Sequence, residues 1–252
     1  GIRYKTSQYV LSTLETKGDY KPNFFDVQTY LTYKINNKLD LDFLGYYALN
    51  SYRFVPENRE TSFGTVKEAL SLKIYYDGNE IDRFETLMGA LTANYNPNEK
   101  LSFKLLFSAF QTIEQETYDI QGQYFLNELD NAYGSETYGD SIMNIGIGTF
   151  LNHARNYLTA NVYSVSFKGA FYSGNHKLRW GAKYNYETID DQMSQWKMLD
   201  SAGYSLPYTG ESIELYETAR ANNRINSNRF AGFIQNTYNK TLCYQDTVFT
   251  KI

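Results

Sequence analysis

From Leu39 to Tyr47 the chain reads Leu-Asp-Leu-Asp-Phe-Leu-Gly-Tyr-Tyr, oily at alternate positions and acidic at two of those between. A period of two marks a β-strand, whose successive side chains point to opposite faces. The rule continues on the other side of Asn36-Asn37-Lys38, where Phe25, Val27, Thr29, Leu31, Tyr33 and Ile35 share one face. Asp26, Gln28, Tyr30, Thr32 and Lys34 share the other. A second turn signal, Asn96-Pro97-Asn98-Glu99, is entered through Leu87, Gly89, Leu91, Ala93 and Tyr95 and left through Leu101, Phe103, Leu105, Phe107 and Ala109. A third, Ser173-Gly174-Asn175-His176, has Tyr163, Val165 and Phe167 before it and Leu178, Trp180, Ala182, Tyr184 and Tyr186 after it. Such polar and glycine-bearing clusters between alternating runs predict hairpins. Further strands are expected at about Gln8 to Thr16 and Arg229 to Lys240, with another beginning at Thr247 to Ile252, about nine in all.

Between the short turns the pattern fades, and long polar connections are expected over Val55 to Asp82, Ile113 to Arg155 and Asp190 to Ile225. Connections above about 12 to 15 residues are uncommon inside a compact soluble domain. Short turns at one end and long loops at the other are the arrangement of outer-membrane barrels, and alternating runs of about 9 to 11 residues are long enough to cross a bilayer at a tilt. Several polar faces carry charge in mid-segment, at Asp40, Asp42, Lys104, Arg179 and Lys183, as the wet lumen of a barrel allows. The expected fold is therefore all-β, an antiparallel transmembrane β-barrel, with Leu39, Leu41, Phe43, Gly45 and Tyr47 toward lipid and Asp40, Asp42, Leu44 and Tyr46 toward the lumen. A two-layer sandwich with solvated outer faces produces similar alternation, so a soluble or surface all-β ligand-binding module, such as a carbohydrate-binding one, is the alternative.

Composition adds weight to strands and removes other classes. Aromatics make up 17% of the 252 residues, with 25 Tyr and 16 Phe, yet mean hydropathy is negative, so apolar residues are dispersed between polar ones. No run approaches the roughly 18 apolar residues of a membrane helix. A net charge of −4, from 24 basic and 28 acidic residues, supplies no basic stripe for nucleic acid, and none is expected as a partner. Cys243 is alone, which excludes a disulfide framework within the chain.

Candidate chemistry is sparse. His153 and His176 are 23 residues apart without metal-ligand spacing, and the pairs Asp190-Asp191 and Asp40/Asp42 are more simply solvated strand acids than a catalytic dyad. No enzyme activity, cofactor or metal is expected. Tyr76-Asp77-Gly78-Asn79-Glu80-Ile81-Asp82 has the alternating oxygens of a calcium loop, but it lacks the later bidentate glutamate, and Asp-Gly between two apolar runs reads as an outer-loop hairpin. The long segment with Tyr118, Tyr124, Phe125, Glu128, Asp130, Tyr133 and Tyr138 mixes rings with acids. Tyr118, Tyr124, Glu128 and Asp130 are the candidate ligand contacts on what is expected to be an extracellular loop, although the same composition also suits a loop packing on its neighbours.

Several stretches together resemble a known family. Ser62-Phe63-Gly64-Thr65, the run Glu114 to Tyr124, the run Gly146 to Tyr157, Ser194-Gln195-Trp196-Lys197, Asp200-Ser201-Ala202-Gly203-Tyr204 and Arg229 to Asn236 are similar, in order and spacing, to the barrel region of TonB-dependent outer-membrane receptors of the Bacteroidetes type. The likeness runs from about Phe24 to Tyr238. It implies a place in a bacterial outer membrane, in a 22-stranded barrel enclosing an N-terminal plug, coupled through a TonB box to an inner-membrane complex that drives import of a bulky nutrient. Implied partners are outer-membrane lipid, the TonB complex through parts outside this chain, a surface lipoprotein and a small-molecule, glycan or peptide cargo. No plug, TonB box or terminal aromatic assembly signal is found here, so residues 1–252 are expected to be a middle part of the barrel.

Overall fold

The computed structural model describes residues 1–7, 11, 18–65, 68–200, 215–244 and 247–251. The elements described in full are strands: β1 (Ile2–Thr6), β2 (Gly18–Asn36), β3 (Leu39–Pro56), β4 (Arg59–Gly64), β5 (Ala69–Asn98), β6 (Leu101–Leu129), β7 (Ser141–Ser173), β8 (His176–Asp200), β9 (Leu215–Tyr238), β10 (Lys240–Tyr244) and β11 (Thr247–Lys251). Nine of them form one antiparallel meander in the order β1-β2-β3-β5-β6-β7-β8-β9, with β4 beside β5, and this sheet is not closed. The expected all-β class and the antiparallel order are observed. The stretch from Thr247 departs from expectation, since β11 pairs with β10 in a separate two-stranded sheet and does not extend the large one. The expected strand at Gln8 to Thr16 lies largely outside the described residues.

Two of the turns are built alike. The Asn36 side-chain carbonyl accepts the Lys38 N–H at 2.8 Å, and that of Asn98 accepts the Lys100 N–H at 3.0 Å, each imitating a backbone turn with its own side chain. At the third, Gly174 takes φ 55°, a left-handed value open to glycine at little cost.

The expected long loops are corrected by the structure. β5, β6 and β7 run for 30, 29 and 33 residues, so most of 55–82 and 113–155 is ladder. Likewise β8 continues to Asp200, and β9 has begun by Leu215. Asp77-Gly78 is not a hairpin tip either. Phe54 pairs with Glu80 and Arg59 with Ile74, which sets Val55 to Asn58 against the longer stretch Tyr75 to Asn79. The surplus residue makes a bulge in β5, where Gly78 sits at φ 100° and Asn58 Oδ1 accepts the Tyr76 N–H at 2.8 Å across the break in the neighbouring row. The β4–β5 ladder ends earlier in the chain, at the pair Gly64 and Ala69, beyond which the Thr65 N–H donates to the Glu68 carbonyl at 2.7 Å.

Register assigns every strand residue to a face. Leu31, Phe43, Leu91, Phe107, Val165, Tyr184 and Phe230 make one continuous cross-strand row, and Leu41, Ala93, Leu105, Phe167, Ala182 and Gly232 make the next. No described element covers this apolar face. Leu31 is 60% exposed, Leu91 46% and Phe230 80%, and among the described residues the only buried hydrophobic ones are Ala48 and Ala154. A soluble sheet protein buries such a face against a second layer; among the described residues none exists.

The apolar face has a measurable shape. Going from the turns outward, the apolar runs end at Leu49 on β3, Leu87 on β5, Ala109 on β6, Tyr163 on β7, Tyr186 on β8 and, past one break at Asn236, Phe230 on β9; β2, with one break at Thr29, ends at Phe25 in the row of Leu49. Phe230 lies in the row of Phe43, so the boundary slips by six residues over the five steps from β3 to β9. The turn ends slip the same way: Trp180 shares the row of Leu39, where β3 begins, whereas β8 begins four residues lower, at His176. Six residues of about 3.3 Å over five spacings of about 4.8 Å is a slant of about 40°. That falls in the 35–45° range by which strands tilt in barrels.

Candidate functional site

The face opposite the apolar one is mixed: charged and polar positions alternate with apolar ones such as the row Tyr46, Met88, Phe110 and Val162. Near the turns it carries Asp40, Asp42, Lys104, Arg179 and Lys183, all five on one face by register, as the sequence suggested. Asp42 accepts hydrogen bonds from Thr32 Oγ1 at 2.8 Å and Asn94 Nδ2 at 2.7 Å. Asn94 is the cross-strand partner of Lys104. The bond from Thr32 runs along a row of the sheet, and that from Asn94, the direct partner of Asp40, crosses diagonally to Asp42.

Beyond the apolar belt the same face changes character. Tyr52, Asp82, Glu116 and Asn156 are successive cross-strand partners on β3, β5, β6 and β7, and Phe54, Glu80, Tyr118 and Ala154 fill the next row. Tyr20 from β2 closes the side, its ring 4.7 Å from that of Phe54 and 5.9 Å from that of Tyr52. Asp82 and Glu116 are thus like charges directly opposite one another, an arrangement that destabilises a sheet unless something compensates. The electrostatics register this. Burial, then the neighbouring Asp82 and Glu116, raise the Glu80 carboxyl above its ordinary range, and burial followed by Glu116 does the same to Asp82. Burial, with Tyr20, Glu80 and Asp82 nearby, pushes the Tyr52 hydroxyl up to about 12. Asp82 Oδ1 and Asn156 Oδ1 are buried with no hydrogen-bond partner among the described residues. A concavity of about 230 Å³ adjoins them, lined also by Phe84, Glu114 and Asp191.

Carboxylates held above their usual range, orphaned acceptor oxygens and stacked rings form a surface that accepts hydrogen bonds and offers faces to a ligand. No described group of three or more His, Cys, Asp or Glu side chains has metal-binding geometry. The calcium-like spacing of 77–82 fails on a strand, because Asp77 and Asn79 point to one face while Glu80 and Asp82 point to the other. The Asp77 carboxylate instead accepts its own neighbour's N–H, from Gly78, at 2.8 Å.

The four sequence-derived contacts divide. Tyr118, Tyr124 and Glu128 stand on β6, a strand and not the expected loop, and share the polar face. Tyr118 belongs to the acid–aromatic surface. The Tyr124 ring lies over Gly148, its cross-strand partner, where an added Cβ would sit 2.1 Å from the hydroxyl; this is packing for rigidity. Asp130 is on the loop as expected, with its carboxylate engaged in closing that loop through Ser135 Oγ at 2.5 Å, Thr137 Oγ1 at 2.7 Å and the Ala132 N–H at 2.9 Å. Sequence reading missed Glu80, Asp82 and Glu116 as a group, since they come from segments that only register brings together.

The raised carboxyls predict a pH dependence. Folded Glu80 and Asp82 hold protons more tightly than the ordinary values of 4.5 and 3.8 require, so over the window above those values the native state binds more protons than the unfolded one. Their contribution to stability therefore falls as pH rises through the raised values, and the penalty vanishes below 3.8. Asp82→Asn should increase amide protection of β5 at neutral pH, by a few tenths to about 1 kcal/mol, and leave it unchanged in acid. Hydrogen exchange at pH 7 and pH 3 measures this, and a loss of protection at neutral pH would contradict it.

No protein-family model matches this chain, and no curated protein sequence matches it.

Proposed function

We propose that this chain forms part of the wall of an outer-membrane active-transport receptor of the TonB-dependent class, inside a larger barrel closed by further strands. The observation that carries the reading is the slanted apolar belt. Its boundary and the turn ends drift together by about the stagger that a strand tilt of about 40° imposes on a membrane-parallel plane. Nothing in a soluble sandwich requires that coupling. The ordered likeness to TonB-dependent receptors supplies the rest: energised import of a bulky nutrient, with lipid on the apolar face and the acid–aromatic surface on the cargo side. Contact with the TonB complex belongs to parts outside this chain.

Full-length protein should fractionate with outer membranes, and its mobility on a detergent gel should shift on heating. Recovery as a folded monomer in buffer without detergent would end this reading in favour of a soluble all-β ligand-binding module.

A further inference from the structure

Arginine is distributed unevenly beyond the belt. Arg53, Arg83, Arg155, Arg220 and Arg224 all take positions on the outward, apolar-belt side of β3, β5, β7 and β9, whereas Glu80, Asp82, Glu114, Glu116 and Asp191 take the opposite side. Three of the arginines have acids beside them. Arg83 meets Glu85 at 3.1 Å, Arg224 meets Asp190 at 3.3 Å, and Arg155 is paired with Asp119. Arg53 is exposed and has no ion-pair partner among the described residues.

Arg53 and Arg83 lie together above one place in the belt. Ser51 pairs with Arg83 and Arg53 with Ile81, so the two arginines are diagonal neighbours across β3 and β5, about 7–8 Å apart. Each stands four residues past the last apolar position of its strand, Leu49 and Leu87. At about 3.3 Å per residue and a tilt of about 40°, that is about 10 Å along the membrane normal, the depth of lipid headgroups. Lower on the same face, eight residues from Arg53 and six from Arg83, the seam carries two glycines, of which Gly45 is met by the Phe43 ring and Gly89 is open. Gly45 pairs with Gly89, a Cβ added at Gly89 would meet nothing within 4 Å, and a groove of about 570 Å³ runs between Phe43, Tyr47, Leu87 and Ala109.

We infer that the outward seam between β3 and β5 binds one phosphate-bearing lipid, with an acyl chain in the groove and its phosphate between Arg53 and Arg83. Charge complementarity selects this occupant over a neutral lipid: Arg83 and Arg53 stand four and six residues beyond Leu87 and Tyr47 of the groove lining, and an arginine fork matches phosphate oxygens. Glu85 moderates the site, since it accepts from both Arg83 and the Tyr47 hydroxyl, the latter at 3.1 Å. Arg53 therefore carries the larger share of the attraction. The inference rests on the membrane reading above.

The test uses full-length protein in neutral detergent, first checked for heat-shifted gel mobility, then titrated with phosphatidylglycerol, phosphatidylcholine or inorganic phosphate under native mass spectrometry. Phosphatidylglycerol should be preferred over phosphatidylcholine about tenfold. Arg53→Gln with Arg83→Gln should reduce that preference to about twofold or less, Arg53→Lys with Arg83→Lys should keep most of it, and Glu85→Gln should increase it. Arg179→Gln with Lys183→Gln, on the opposite face, should leave it unchanged. An undiminished preference in the Arg53/Arg83 glutamine variant overturns the inference while the membrane reading stands; so does equal capture of inorganic phosphate. Failure of the gel shift, with folding in plain buffer, overturns the membrane reading itself before any lipid is added.

Discussion

Replacing Leu91 with arginine should destabilise the inserted protein by about 2–4 kcal/mol, the cost of a cation facing lipid near the bilayer midplane. Leu91 stands in the belt between Phe43 and Phe107, 46% exposed, with no described element over it. Ser108→Arg, one row-neighbour away on the polar face, should cost under about 1 kcal/mol, since a guanidinium there stays hydrated. Urea unfolding of the full-length protein from lipid vesicles measures both. The sign makes the experiment decisive. A sheet whose exposed leucine met water would gain solubility from Leu91→Arg and lose little stability, so an unchanged unfolding midpoint would remove the membrane from the account.

Gly78→Ala is expected to be the most damaging small substitution outside the belt. A Cβ there would sit 1.8 Å from the backbone oxygen of Asp119, and φ is 100°, where an L side chain is strained whatever the space. Backbone cannot yield as a flexible side chain does, so β5 and β6 must part locally, at about 2–4 kcal/mol. Gly89→Ala is the matched control: in extended backbone with open space above it, it should be neutral or stabilise by up to about 1 kcal/mol. Comparing the two variants by thermal unfolding tests the bulge directly. Equal effects would mean that Gly78 does not adopt this conformation.

Alternation exposed the belt parts of β2, β3, β5, β6, β7 and β8, because there one face meets an apolar surrounding and the other does not, and the contrast itself is the signal. Above the belt that contrast is gone. Glu114 to Thr117 has polar residues on both faces, yet it lies in the same unbroken ladder as Leu105. Polarity read as loop was therefore wrong by whole strand halves, since ladder hydrogen bonds leave no mark in side-chain periodicity. Asp77-Gly78 misled for a related reason. The dipeptide does supply a positive φ, but a bulge needs one as much as a hairpin does, and only the unequal rows beside it distinguish them. In the candidate site, Tyr118 was legible as a ring among acids. The opposition of Asp82 to Glu116 was not, because 34 residues of chain separate them and register alone makes them neighbours.

The height of the sheet changes how capture at the far end would work. Recognition surfaces on long flexible loops lose conformational freedom each time a ligand orders them, at about 0.5–1.5 kcal/mol for each side chain immobilised. Tyr118, Glu80 and Asp82 stand on ladders fixed when the protein folds. Binding there would proceed with little loss of chain entropy, so substitutions at the surface should act mainly on residence time and leave the association rate nearly constant.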